Sequence, residues 1–344
     1  MYSISPEIIP PILAWHRANR RMLPWRESPT PYHVWISEIM LQQTRIEAVI
    51  PYYERFLAAF PDVRSLAEAD DERLMKLWEG LGYYSRARNL KKAAGQIMND
   101  CGGILPSSAQ ELKKLSGIGD YTAGAIASIA YGQPEPAVDG NVLRVTMRLL
   151  ACADDILAAS TKKAVTESLR PLYPTGEDAR MLTEGLMALG QKICTPTSPG
   201  CDGCPVKAFC QAYKNGNPEA FPCKAEKKAR RVECLAVFLL RRDGKYAVRR
   251  RREEGLLAGM WEYPNCPVSA LPVLPKEVRE IGTAKHIFTH IEWHMTGYEA
   301  ELDDNTALPS DILWAAPEEI FGQYAVPSAF AQWTKYIMKE IENR

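Results

Sequence analysis

The sequence predicts a multi-domain chain: an all-α region of about 215 residues followed by a smaller α+β region. Three observations lead there. Apolar residues recur at helical steps through the first part of the chain. Four of the nine cysteines crowd into one window at its end: Cys194, Cys201, Cys204 and Cys210. Beyond residue 215 the pattern shifts to short β-type runs separated by turn residues.

The helical elements follow in order. Ile36, Ile39, Met40 and Gln43 keep one helical face, as do Leu74, Leu77, Trp78 and Leu81. Tyr121–Tyr131 is rich in alanine, and Val142, Val145 and Leu149 mark a further helix. Glycine turns at Gly80–Gly82, Gly102–Gly103 and Gly117–Gly119 punctuate these runs. Asn215, Asn217 and Pro218 form a polar break, and the basic run Lys224–Arg231 reads as linker. Leu235–Leu240 is then a β-type run, Asp243-Gly244 a hairpin turn, and Tyr246–Arg250 the returning strand. Further strand is expected around Phe288–Met295, and a closing helix around Phe330–Ile341.

Composition bounds the function class. With 46% apolar and 24% charged residues, the chain can bury a core without covalent staples. No apolar stretch reaches the roughly 20 residues that span a bilayer, and no signal-peptide pattern follows Met1, so the expected location is cytoplasmic. The 42 basic residues balance the 42 acidic ones, so any nucleic-acid contact must rest on local patches and backbone donors. Cysteines clustered as C-x6-C-x2-C-x5-C suit one soft metal centre rather than a disulfide framework, with zinc and an iron–sulfur cluster both open. The other five, Cys101, Cys152, Cys223, Cys234 and Cys266, are scattered.

Three further patterns carry chemistry. Gly117-Ile118-Gly119 leads straight into a helix, whose free N–H groups can bind a phosphate; alone, such a step is usually a plain turn. Asp139 stands just before an apolar helical run, where an ordinary N-cap carboxylate would also stand. Glu38 sits among Trp35, Ile36 and Ile39; in an apolar pocket its carboxyl would hold a proton near neutrality, as an acid catalyst must. A salt-bridged, partly exposed Glu is the bland alternative.

The glycine hairpin, Asp139 and the cysteine loop, in that order, resemble the helix-hairpin-helix DNA glycosylases. Pro24-Trp25-Arg26, Trp35–Thr44 and Glu79–Arg86 resemble the MutY-type adenine DNA glycosylases among them. The resemblance implies an all-α helix-hairpin-helix glycosylase domain holding a 4Fe–4S cluster on Cys194, Cys201, Cys204 and Cys210. It implies that Glu38 protonates adenine, that Asp139 stabilises or captures the sugar cation, and that Tyr121 and Asn141 assist. Gln43 and Tyr83 would wedge into the base stack. Arg26, Thr44, Leu81, Arg86, Gly117 and Gly119 would contact DNA. Bifunctional endonuclease III enzymes carry a lysine where this chain has Tyr121, so strand cleavage is not expected.

Gly255–Pro264 resembles the entry to a Nudix fold, but Pro267, Pro272 and Pro275 and the remnant Lys276–Glu280 replace the acidic metal-binding helix. The implied role is therefore recognition of 8-oxoguanine by Phe288-Thr289-His290, with Thr289 where the family's loop has serine. His286, His290 and His294 invite a metal reading that their regular spacing in a strand region does little to support. The expected division is 1–215 catalytic (lobes 29–133, and 1–28 with 134–215), 216–232 linker and 233–344 Nudix-like. The expected partner is double-stranded DNA with an A:8-oxoguanine or A:G mispair, and the expected state a monomer. Two rivals are an endonuclease III-type glycosylase–lyase and a non-catalytic DNA-binding redox sensor.

Overall fold

Polar caps decide where several of the helices begin. Thr30 accepts from the His33 N–H and opens Pro31–Leu41, Asp70 accepts from Arg73 and opens Asp71–Trp78, and Asp139 accepts from Val142 and opens Gly140–Leu150. The computed structural model describes residues 2–225, 229–270, 278–303, 306 and 308–343. They group into two units, residues 1–68 with 89–226, and 69–88 with 227–344.

In the first unit, Ile9–Asn19, Gly140–Leu150 and Glu177–Lys192 enclose a core that includes Ile12, Val142, Leu182, Leu186 and Leu189. Asp120–Tyr131 follows the Gly117-Ile118-Gly119 turn, with Gly119 as an N-cap that offers no side chain. Gly117 is required twice over. Its φ is +75°, and a Cβ there would lie 2.7 Å from Asn89 Cβ.

Among the described residues the second unit is built on a seven-stranded sheet: β1 (Arg231–Arg242), β2 (Lys245–Arg250), β3 (Trp261–Glu262), β4 (Asn265–Pro267), β5 (Arg279–Ile287), β6 (Ile291–Glu301) and β7 (Ile312–Ala315). The order is β3-β2-β1-β6-β5, with β4 against β1 and β7 against β2. β1 runs parallel to β6, from Arg231↔Ile291 to Arg241↔Glu301, and its other pairings are antiparallel. Asp243 and Gly244 both take positive φ, the requirement of a tight two-residue hairpin. The Ala331–Glu342 helix adds Trp333 and Ile337 to a core with Val237, Leu239, Val248 and Tyr263.

The sequence expectations are corrected in three places. The helix carrying Glu38 stops at Leu41, so Gln43 leaves the face it was expected to share and turns into the left-handed region at φ 61°. Leu81 likewise lies past the end of Asp71–Trp78. Residues 69–88, expected in the helical lobe, pack with the sheet unit. Pro272, Pro275, Lys276, Glu277 and part of the basic run, 226–228, lie outside the described residues.

Candidate active site

Pro31–Leu41, Asp120–Tyr131, Gly140–Leu150 and Glu177–Lys192 bring Glu38, Tyr121, Asp139, Asn141 and Glu184 to one cleft of about 460 Å³. That size suits a small molecule or a single extruded group. Glu38 is 6% exposed. Burial, reinforced by the charge of Asp139, pushes its carboxyl up to about 7, against the pull of the Tyr121 hydrogen bond and the Arg26 charge. The Tyr121 hydroxyl donates to Glu38 Oε2. Burial beside two carboxyls keeps that phenol protonated far above its ordinary range. With Oε2 occupied by a donor, a proton on Glu38 belongs on the other oxygen.

Asp139 is built differently. Oδ1 accepts from the Val142 N–H at 2.8 Å and Oδ2 from Asn141 Nδ2 at 2.7 Å. Burial holds its carboxyl above the ordinary range, and the Val142 and Asn141 donors oppose that rise only in part. Both oxygens receive N–H groups that can only donate, an arrangement suited to the carboxylate. Asn141 is oriented in turn by Arg144 Nη2 at 2.9 Å, and Arg144 also holds the carbonyls of Gly190 (2.8 Å) and Cys194 (2.7 Å). Gly190 permits this packing, because a Cβ there would lie 2.6 Å from Asn141 Cβ.

Sequence reasoning missed Glu184 and Arg144. Glu184 is 3% exposed and meets His16 Nε2 (3.2 Å), Arg20 Nε (3.2 Å), Arg180 Nε (3.2 Å) and Arg26 Nε (3.6 Å). Burial opposes its ionisation, yet the His16 hydrogen bond and the guanidinium charges hold its carboxyl below the ordinary range. A Glu inside the Ala-, Leu- and Gly-rich run of Glu177–Lys192, four residues after Arg180, was the available signal. Arg26 thus stands in the cleft wall, paired to Glu184.

The other expected DNA contacts fall into two groups. Tyr83 is 49% exposed at φ 47°, a rare conformation for a non-glycine residue and one that needs support from its surroundings. Gly119 leaves open space before its helix, and Thr44 lines the cleft. Leu81 and Arg86, by contrast, are buried. Arg86 Nη2 donates to the carbonyls of Leu81 (3.1 Å) and Gly82 (3.0 Å), so it braces the loop from inside. Burial lowers its guanidinium to about 10. In the sheet unit, Phe288-Thr289-His290 form the turn between β5 and β6. Phe288 packs edge-on against Trp293 and His286, at 4.8 and 4.5 Å between centroids, while Thr289 and His290 are exposed.

Cys194, Cys201, Cys204 and Cys210 are all partly buried, and Cys194, Cys204 and Cys210 pack against the core of the first unit. Among the described residues no three His, Cys, Asp or Glu side chains gather closely enough to hold a single metal ion. Four thiols within one short stretch are nevertheless the soft donor type that a thiolate-ligated group needs. Burial and mutual charge push the Cys204 thiol up to about 11 and raise Cys201 and Cys210, so a bound cationic centre would supply what ionisation lacks. The buried Arg148 steadies the loop through Cys194 Sγ (3.4 Å) and the carbonyls of Thr195 (2.6 Å) and Pro196 (2.9 Å).

Residues 36–174 match the HhH-GPD superfamily base excision DNA repair protein, and residues 236–335 match the NUDIX domain. Over 389 residues the chain is 32% identical to the adenine DNA glycosylase of Mus musculus, covering 92% of this chain and 75% of that one. Over 257 residues it is 36% identical to that of Buchnera aphidicola subsp. Baizongia pistaciae, covering 74% and 71%. Among solved structures, a thermostable thymine-DNA glycosylase is similar at TM-score 0.54 and 29% identity, covering 61% of this chain and 96% of that chain. An endonuclease III–DNA covalent intermediate shares the fold at TM-score 0.53 and 24% identity, covering 62% of this chain and 99% of that chain. No described helix is long and apolar enough to cross a membrane. The relatives' similarity over most of both chains, joined to the two matched domains, establishes that this chain belongs to the adenine DNA glycosylase family, enzymes of base excision repair with a C-terminal Nudix-like domain.

Proposed function

We infer that this chain excises adenine mispaired with 8-oxoguanine or guanine in duplex DNA, as a monofunctional glycosylase acting as a monomer. The observation that carries this reading is the pair of unlike carboxyls in one cleft, Glu38 near neutrality and Asp139 held by N–H donors. Two carboxyls in unlike surroundings, one met by a phenol and one by two N–H donors, suit cleavage of a glycosidic bond.

Adenine leaves the base stack at a cost of a few kcal/mol. Tyr83 and Gln43 fill the gap. Glu38 gives its proton to a ring nitrogen of adenine, and the electrons of the breaking N-glycosidic bond pass to the base. The sugar becomes oxocarbenium-like, and the Asp139 carboxylate stabilises it. Glu38, now anionic, takes a proton from water as that water adds to the sugar carbon, leaving an abasic site. Tyr121 keeps Glu38 oriented and offers no amine for a Schiff base.

The four cysteines would hold a 4Fe–4S cluster whose role is to shape the DNA-facing loop, and no step above passes through it. The turn Phe288-Thr289-His290 would read the lesion, with the exposed Thr289 hydroxyl accepting from the ring N–H that distinguishes 8-oxoguanine from guanine. The test is excision from matched duplexes carrying A:8-oxoguanine, A:G or A:T. Excision from the two mispairs with A:T spared is expected, and release of an oxidised pyrimidine instead would favour the endonuclease III-type reading.

A further inference from the structure

We propose that Glu72, Lys76 and Glu79 dock the Asp71–Trp78 helix onto the C-terminal region, and that this docking positions Tyr83 and thereby sets the preference for the lesion-containing pair. The proposal rests on the reading that Tyr83 enters the base stack and that Phe288-Thr289-His290 read the opposite base.

Glu72 and Lys76 stand one turn apart on the Asp71–Trp78 helix, and Glu79 follows as its C-cap residue. Each engages the C-terminal region. Trp261 Nε1 donates to Glu72 Oε2 at 2.9 Å. Lys76 Nζ donates to the carbonyls of Ile320 at 3.2 Å and Tyr324 at 2.9 Å. The Val326 N–H donates to Glu79 Oε1 at 2.8 Å, and Lys76 bridges to Glu79 Oε2 at 2.7 Å. The Ile320 carbonyl belongs to the last turns of Pro317–Gly322, where carbonyls lack partners within the helix, so an ammonium is a fitting donor. The receiving surface is well packed, with Trp261 7% exposed and its ring 4.3 Å from that of Tyr324.

The docked helix leads into a braced loop. Trp78 Nε1 donates to the Gly82 carbonyl at 3.1 Å, and Arg86 holds the carbonyls of Leu81 and Gly82. Past the loop, Arg88 Nη1 donates to the Ala258 carbonyl at 2.6 Å. Tyr83 therefore sits between two anchor points on the C-terminal region, Glu72–Glu79 before it and Arg88 after it. Its left-handed backbone persists only while such surroundings over-determine it. A plain packing contact would support the fold without touching pair preference. A dock that aims Tyr83 must affect both.

The test uses the full-length chain with Lys76→Ala and Trp261→Phe. The second keeps an aromatic ring against Tyr324 and removes the N–H to Glu72 together with part of the indole's packing. The first readout is amide hydrogen exchange over residues 79–86. A rise of at least tenfold is expected in both variants, with exchange in Asp120–Tyr131 unchanged. The second is the ratio of single-turnover adenine excision on A:8-oxoguanine against A:G. Lys76→Ala should lower it at least fivefold, with the A:G rate within twofold of wild type. Unchanged exchange in both variants overturns the dock, and raised exchange with an unchanged ratio overturns its link to pair preference. A wild-type chain that does not distinguish the duplexes overturns the lesion reading, and with it that link, while the exchange data still decide the dock.

Discussion

At the scale of single residues, the account turns on Glu38 holding a proton and Asp139 lacking one. Glu38→Gln keeps shape and removes the acid, and Asp139→Asn keeps shape and removes the charge. Each should bind mispaired DNA yet excise adenine at least ~10²-fold more slowly in single turnover. Excision should also fall as pH rises through about 7, where Glu38 loses its proton. The same shift bears on stability. The folded chain holds this proton above the ordinary Glu range, so the contribution is full at acid pH and is lost as pH rises through about 7. Tyr121→Lys places an amine where Tyr121 now meets Glu38, and should yield strand nicking and a borohydride-trappable adduct that wild type lacks. Thr289→Val removes the hydroxyl at nearly constant shape and should cost about 1 kcal/mol of lesion preference, measured as the ratio of rates on A:8-oxoguanine and A:G. That Glu38, Asp139 and Tyr121 share one cleft was legible in the sequence because each lies within a motif of distinctive neighbours. Glu184 and Arg144 were not, because their meaning comes from partners distant in sequence. Arg86 was legible as important but not in its role, since a motif does not say whether a guanidinium faces DNA or its own loop.

At the scale of elements, the N-terminus of Gly140–Leu150 joins chemistry to the cysteine loop. Asp139 caps it, Asn141 and Arg144 occupy its first turns, and Arg144 reaches the Cys194 carbonyl. Arg144→Gln should loosen Asp139 without removing it. We expect single-turnover excision to drop about tenfold, the scale of a modest misplacement of a catalytic group, with DNA affinity within about threefold of wild type. An equal loss of affinity would mark Arg144 as a DNA contact instead. Most elements were legible because caps, glycine turns and apolar periodicity agree with one another, as at Asp243-Gly244 and Gly140–Leu150. The helix ends at Leu41 and Trp78 were not. Apolar spacing continues through Gln43 and Leu81 while the backbone has already turned. The association of residues 69–88 with the sheet unit was also hidden, because the partners of Glu72, Lys76 and Glu79 lie far away in sequence.

At the scale of the whole molecule, a chain with no net charge must gain its grip on DNA from local features. We propose that the uncapped start of Asp120–Tyr131 and the exposed Tyr83 are such features. The cysteine loop adds a compositional test. Protein purified without oxygen should hold about four irons per chain, and stoichiometric zinc without iron would contradict the proposed cluster. The central claim, that a protonated Glu38 and an anionic Asp139 release adenine without cutting the strand, is tested most directly by single-turnover reaction of wild type and Glu38→Gln on an A:8-oxoguanine duplex across pH 5–9. The expected result is free adenine, a strand that breaks only on alkali, a wild-type rate falling through about pH 7, and a variant slower by at least ~10²-fold. Near-wild-type excision by Glu38→Gln, or efficient nicking and trapping by wild type, would contradict it.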